Sequence, residues 1–166
     1  MRLLLDTHVW LWTLTDPDRL GRRARTAVAR ATTELWLSPI SVWELLVLAE
    51  RGRVKLDDEP GRWAREALER SPVREATLTS EVAIQSREIA PSHGDPADRF
   101  IMATALVYEL TLVTADQALL DLGHTLTIRE AYDTYFGGAQ AIMIPHANGI
   151  ILGGADSRRD GAGAGY

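Results

Sequence analysis

The sequence predicts a three-layer α/β/α sandwich built on a central parallel sheet. Three observations carry this reading. The chain opens on Leu3-Leu4-Leu5, a run with no polar face; further short apolar runs stand at 34–37, 73–78 and 111–114; and helical periodicity fills each interval between them. A strand apolar on both sides is covered on both faces. Strands that alternate with helices are joined as parallel neighbours by right-handed crossovers.

Each element has a local cause. After the first strand, Thr7 or His8 starts a short helix that turns Trp10, Leu11 and Leu14 inward, and Asp16-Pro17-Asp18 marks a turn. Leu20, Ala24, Ala27, Val28 and Ala31 recur at helical spacing with arginines between them, a second helix. Glu34 to Leu37 reads as a strand. Ser38-Pro39 then opens a helix, since proline at the first helical position needs no amide donor. Ile40, Val42, Trp43, Leu45, Leu46 and Leu48 predict that this helix is heavily buried, and Gly52 stops it. A helix over about 60–70 carries Trp63, Ala67 and Leu68. Val73 to Leu78 is a strand, Thr79 or Ser80 caps the next helix, and Pro91 to Gly94 breaks it. Asp95-Pro96 reads as cap and first residue of an apolar helix ending near Leu110. Thr111 to Thr114 is a strand, a brief helix through Leu119 and Leu120 ends at Gly123, and His124 to Ile128 makes a last strand.

Composition changes near Gly137. Eight of the 13 glycines lie in the last 30 residues, where a packed core would not want them. Residues 137–166 therefore read as a Gly-rich extension, a β-hairpin-like or disordered tail. Its two strands would be 139–144 and 150–152, joined through Asn148-Gly149.

Bulk properties narrow the function. With 166 residues, 46% of them hydrophobic, one real core is the expectation. No cysteine is present, which removes disulfides, thiol chemistry and thiolate-held zinc, and suits a reducing cytoplasm. No apolar run approaches the roughly 20 residues of a membrane span, and the chain opens on a core strand rather than a signal segment. A soluble, unprocessed cytoplasmic protein is expected. The formal charge of -5 excludes a broad basic surface for nucleic acid. The local cluster Arg19, Arg22, Arg23, Arg25 and Arg30 reads most simply as a solvated helix face.

Four acids stand out. Asp6 and Asp116 each follow a strand, so in a parallel sheet both emerge on the carboxyl edge, where open α/β sheets bind ligands. Asp6 by itself is equally readable as a helix cap. Glu44 sits in the apolar stretch Val42-Trp43-Glu44-Leu45-Leu46, too deep in its helix for a capping box with Ser41, and an unpartnered carboxylate there is costly. Asp95 reads as a cap. Asp98, one turn on, by itself fits helix-dipole stabilisation. Together, Asp6, Glu44, Asp98 and Asp116 come from four elements and converge on one edge, where like charges cannot all ionise unaided. An all-oxygen, thiol-free set suits Mg²⁺ or Mn²⁺, and hence metal-assisted phosphoryl transfer. His8 and His93 lie near the same edge, with structural roles the simpler reading.

Leu3-Leu4-Leu5-Asp6-Thr7-His8, Ser38 to Leu45, His93 to Arg99 and Leu112 to Asp116 resemble the successive motifs of the PIN domain, specifically the VapC-type ribonuclease toxins of toxin–antitoxin modules. The resemblance covers about residues 1–130 and sets a PIN-like nuclease domain at 1–133. It implies a Mg²⁺- or Mn²⁺-dependent endoribonuclease with Asp6, Glu44, Asp98 and Asp116 as catalytic and metal-binding acids, Thr114 helping to orient them. It also implies an RNA substrate, a homodimer and a VapB-type antitoxin partner. The extension resembles the extreme C-terminus of γ-glutamyltransferases but lacks the catalytic threonine segment, so no transferase activity follows. Two rivals remain. A phosphohydrolase of the haloacid dehalogenase type needs a second Asp two residues after Asp6, where His8 stands. A catalytically silent PIN-like scaffold that binds RNA or a protein partner is opposed by the complete quartet.

Overall fold

The computed structural model describes residues 1–89 and 95–116, together with the backbone of two short strands at Thr127–Ile128 and Gln140–Ile142. Its elements are β1 (Arg2–Leu5), α1 (Thr7–Thr15), a 3-10 turn (Pro17–Arg19), α2 (Arg22–Ala29), β2 (Glu34–Leu37), α3 (Pro39–Glu50), α4 (Pro60–Arg70), β3 (Val73–Glu75), α5 (Ser80–Glu88), α6 (Pro96–Val107), β4 (Thr111–Thr114), β5 (Thr127–Ile128) and β6 (Gln140–Ile142). Three helices start by one device: Ser38, Glu59 and Asp95 each accept a first-turn amide while Pro39, Pro60 and Pro96 fill the next position. Gly52, at φ 69°, takes the left-handed conformation just past the end of α3.

The strands order β3-β2-β1-β4-β6-β5. β1, β2, β3 and β4 are parallel, with Leu4 of β1 opposite Trp36 and Leu112. Alternation along β1 splits the core in two. Leu3 and Leu5 face Val9, Trp10, Leu20, Ala24, Leu45, Trp63 and Ala67 of α1 to α4 and the turn between α1 and α2. Leu4 faces Val82 of α5 and Ile101, Met102 and Ala105 of α6 on the other side. All three leucines are fully buried, each contributing about 1.5–3 kcal/mol over an exposed position. The result is the three-layer α/β/α sandwich.

Three features depart from the sequence pattern. α3 is less buried than its apolar residues predict: Ser41 and Leu45 are inside, while Trp43 is 54% exposed. The fold covers one stripe of that helix, against α1, α4 and α6. Second, β3 stops at Glu75, short of Leu78, because its partner β2 stops at Leu37. Third, β6 pairs antiparallel with β4 and β5 antiparallel with β6, so residues 140–142 of the Gly-rich segment enter the sheet beside β4. The expected break at 91–94, the brief helix near 119–120 and the second tail strand at 150–152 lie outside the described residues.

Candidate active site

The strand order reverses at β1. From β1 the chain moves outward through β2 to β3, then returns by α5 and α6 to β4 on the opposite side of β1. The carboxyl ends of β1 and β4 flank the point where strand order reverses, the place where open α/β sheets bind ligands. Asp6 and Asp116 follow those two strands.

Asp6 is 4% exposed and takes the cap role that the sequence offered. Its Oδ1 accepts the amide of Thr7 at 2.7 Å, capping α1, and its Oδ2 accepts the hydroxyl of Thr114 at 2.6 Å. The same Thr114 hydroxyl oxygen accepts the amide of Asp116 at 3.0 Å, so one side chain ties the two acids together. Glu44 is half-buried on α3, and its Oε2 accepts the hydroxyl of Thr7 at 2.5 Å. Asp95 caps α6 through the amide of Ala97 at 2.8 Å, which leaves Asp98 on the first turn, half-buried.

The acids feel one another. Asp98 is pushed up to about 7, first by burial and then by the negative charges of Asp95, Asp6, Asp116 and Glu44. Burial also raises Asp6, opposed by the Thr114 and Thr7 hydrogen bonds and by His8, and reinforced by Asp116. Glu44 is raised by burial and Asp6, against the Thr7 hydroxyl and His8. Every member of the expected quartet therefore enters the electrostatics of Asp98. Contact is looser: among the described residues, no three His, Asp or Glu side chains draw together closely enough to form an ion cage. The threonine hydroxyls already occupy one oxygen of Asp6 and one of Glu44. An all-oxygen set whose members resist ionising beside one another is the donor chemistry that fits a hard divalent cation. His93 lies outside the described residues, whereas His8 is exposed on the first turn of α1.

Two contributors were not legible as such. Thr7 reads in the sequence as a cap alternative, yet its hydroxyl restrains Glu44 across 37 residues. Arg99, next to Asp98, donates to the carbonyls of Ser86 at 2.8 Å, Ile89 at 2.9 Å and Arg87 at 3.3 Å, closing the end of α5 against α6. Its one sequence signal is a charge that opens the apolar run Phe100-Ile101-Met102.

A two-faced α/β sandwich with acids gathered at the β1–β4 switch point defines a class, and the PIN-domain family profile matches residues 3–124: the chain belongs to the PIN-domain family. Within that family it stands with the VapC proteins, being 38% identical over 123 residues to Ribonuclease VapC22 of Mycobacterium tuberculosis (strain ATCC 25618 / H37Rv), a match spanning 74% of this chain and 92% of the relative. Its fold is similar to that of VapBC2 from Rickettsia felis bound to a DNA fragment from their promoter, with TM-score 0.55 and 14% identity over 74% of this chain and 93% of that one. VapBC-1 from nontypeable Haemophilus influenzae gives TM-score 0.50 and 17% identity over 74% and 92%. Membership of the PIN family removes the haloacid dehalogenase alternative. Among the described residues, no helix is long and apolar enough to cross a membrane.

Proposed function

We propose that this chain is a divalent-metal-dependent endoribonuclease, the toxin of a toxin–antitoxin pair, with Asp6, Glu44, Asp98 and Asp116 as catalytic and metal-binding acids. One observation carries the reading: the other three acids of the quartet, Asp6, Glu44 and Asp116, each oppose the charge of half-buried Asp98 although they come from three other parts of the chain. The similarity to a VapC ribonuclease supports RNA as the substrate.

In this reading Asp6 is the anchor, oriented by one hydrogen bond to each of its oxygens. Asp98 and Asp116 flank it, and Glu44 closes the site from α3. Asp6, Glu44, Asp98 and Asp116 would hold Mg²⁺, with Mn²⁺ as the alternative, and a bound cation would supply the positive charge that offsets their repulsion and favours a developing negative charge on phosphate. The protein's own part is to orient donors: Thr114 sets Asp6 and the Asp116 backbone, and Thr7 sets Glu44. Restraint of this kind around metal-binding carboxylates tunes both affinity and geometry.

A small VapB-type antitoxin belongs to the same proposal, since the solved neighbours are VapBC assemblies, and the homodimer is carried over from the family resemblance alone. The exposed Trp43, beside Glu44 on α3, offers such a partner apolar surface next to the acids. The same proposal gives the nuclease to residues 1–133 and treats 137–166 as an extension that supplies no site residue, while its residues 140–142 pair with β4.

Titration of the purified protein with Mn²⁺ and Mg²⁺ on structured RNA tests the core of this. Cleavage should require metal, and Asp98→Asn should lose at least roughly 100-fold in rate with the fold intact by circular dichroism. Equal cleavage by Asp98→Asn and the parent would reject the assignment.

A further inference from the structure

The acidic quartet leaves the basic residues around α2 without a role. Arg25 pairs with Asp18. Arg19 is held differently: its guanidinium carbon lies 4.6 Å from the centroid of the Trp12 ring, and among the described residues that ring is its only side-chain partner. Trp12 is 8% exposed and packed into the core with Trp10 and Leu11 of its own helix. His8 also neighbours the Trp12 ring, with ring centroids 6.1 Å apart and planes tilted by 52°. His8 is exposed and lies two residues after Asp6.

Read outward from the carboxylates, α1 thus presents His8, then Trp12, then Arg19 from the following turn. Burial holds the ring, and the exposed guanidinium lies against its face. An acid would neutralise that head group and occupy its N–H donors; an aromatic face leaves the charge and the donors available to a phosphate. In a chain of net charge -5, a polyanion reaching four carboxylates needs fixed cations beside them.

We infer that His8, Trp12 and Arg19 form a strand-binding subsite for single-stranded RNA beside the cleavage site. Arg19 takes a backbone phosphate flanking the scissile one, His8 lines the interval to the carboxylates, and Trp12 holds both on one ridge. This subsite rests on the ribonuclease reading above.

Steady-state cleavage of a short single-stranded RNA by the full chain at saturating Mn²⁺ tests it. Arg19→Ala should raise KM roughly tenfold, leave kcat within about twofold, and make the salt dependence of kcat/KM shallower by about one power of salt concentration. Arg19→Lys should recover most of the loss, and Trp12→Leu should reproduce the Arg19→Ala effect. Arg51→Ala, an exposed arginine just past α3, should match the parent. An unchanged KM and salt slope for Arg19→Ala, a fall in kcat alone, or an equal KM rise in Arg51→Ala would each overturn the subsite while parent cleavage upholds the nuclease. If Trp12→Leu does not fold, the Arg19 pair decides. A parent that fails to cleave with Mn²⁺ overturns the ribonuclease reading, and the subsite with it.

Discussion

Asp98 concentrates the cost of assembling this site. It holds its proton to about pH 7 in the folded chain against 3.8 as its ordinary value, because burial and four neighbouring carboxylates oppose its charge. Between those values the folded state binds more protons than the unfolded one, so without metal the stability contributed by this group falls as pH rises from about 4 to about 7. Asp6 and Glu44 shift in the same direction. Metal-free protein should therefore melt lower at pH 8 than at pH 5, Asp98→Asn should flatten that dependence and raise Tm at pH 8, and Mn²⁺ should stabilise the parent more than the mutant. A melting series showing the same pH slope in both proteins would refute the repulsion account. At the same scale, Thr114→Val removes the hydroxyl that serves both Asp6 and the Asp116 amide. Half-saturation for Mg²⁺ in cleavage should rise roughly 10- to 100-fold, as for other lost supports of metal-binding groups, measurable by metal titration at fixed RNA.

Elements here are positioned by their ends. α1 begins on Asp6, α3 on Ser38 and α6 on Asp95, so each brings its first turns to the carboxyl edge. The far end of α5 is closed by a side chain from α6: Arg99 satisfies three carbonyls that the helix leaves open. Arg99→Ala should lower stability by about 2 kcal/mol, the scale of hydrogen bonds from a charged donor, or a Tm fall of roughly 4–8 °C. Because Asp98 is its neighbour on α6, the same mutant should need more Mg²⁺ for half-maximal cleavage. Arg99→Lys, with a single ammonium in place of the planar fork, should recover only part of either loss. Thermal melts and metal titrations of the two variants check this, and full recovery by lysine would show that charge alone suffices.

On the scale of the whole molecule, the sheet is covered on both faces while β4 is bordered on one side by β1 and on the other by β6. All four acids precede Gly137, yet β6 pairs Leu112, Val113 and Thr114 with residues 140–142. A chain ending at Tyr135 would strip that neighbour and leave an unpaired strand edge. Such a truncation should cleave RNA within a few-fold of the full chain per folded molecule, but melt lower and aggregate more readily. Loss of metal-dependent cleavage in truncated protein that remains folded would show instead that the extension contributes to the site.

The sequence by itself determined the layered α/β class and the sheet edge to which Asp6 and Asp116 belong. Leu3-Leu4-Leu5 has no polar face and so demands cover on both sides, and the Ser38-Pro39 and Asp95-Pro96 pairs fix helix starts through local backbone chemistry alone. Asp6 and Asp116 were legible because strand ends in a parallel sheet share an edge. Other features were decided only by tertiary structure. The Thr7–Glu44 and Thr114–Asp6 hydrogen bonds span 37 and 108 residues, and no local periodicity encodes such a pairing. The exposure of Trp43 depends on which stripe of α3 its neighbours reach, and the entry of residues 140–142 beside β4 depends on which strand edge stands open. Arg19 reads in the sequence as one charge among five; the buried ring of Trp12 beneath it belongs to a different element, and only packing brings the two together.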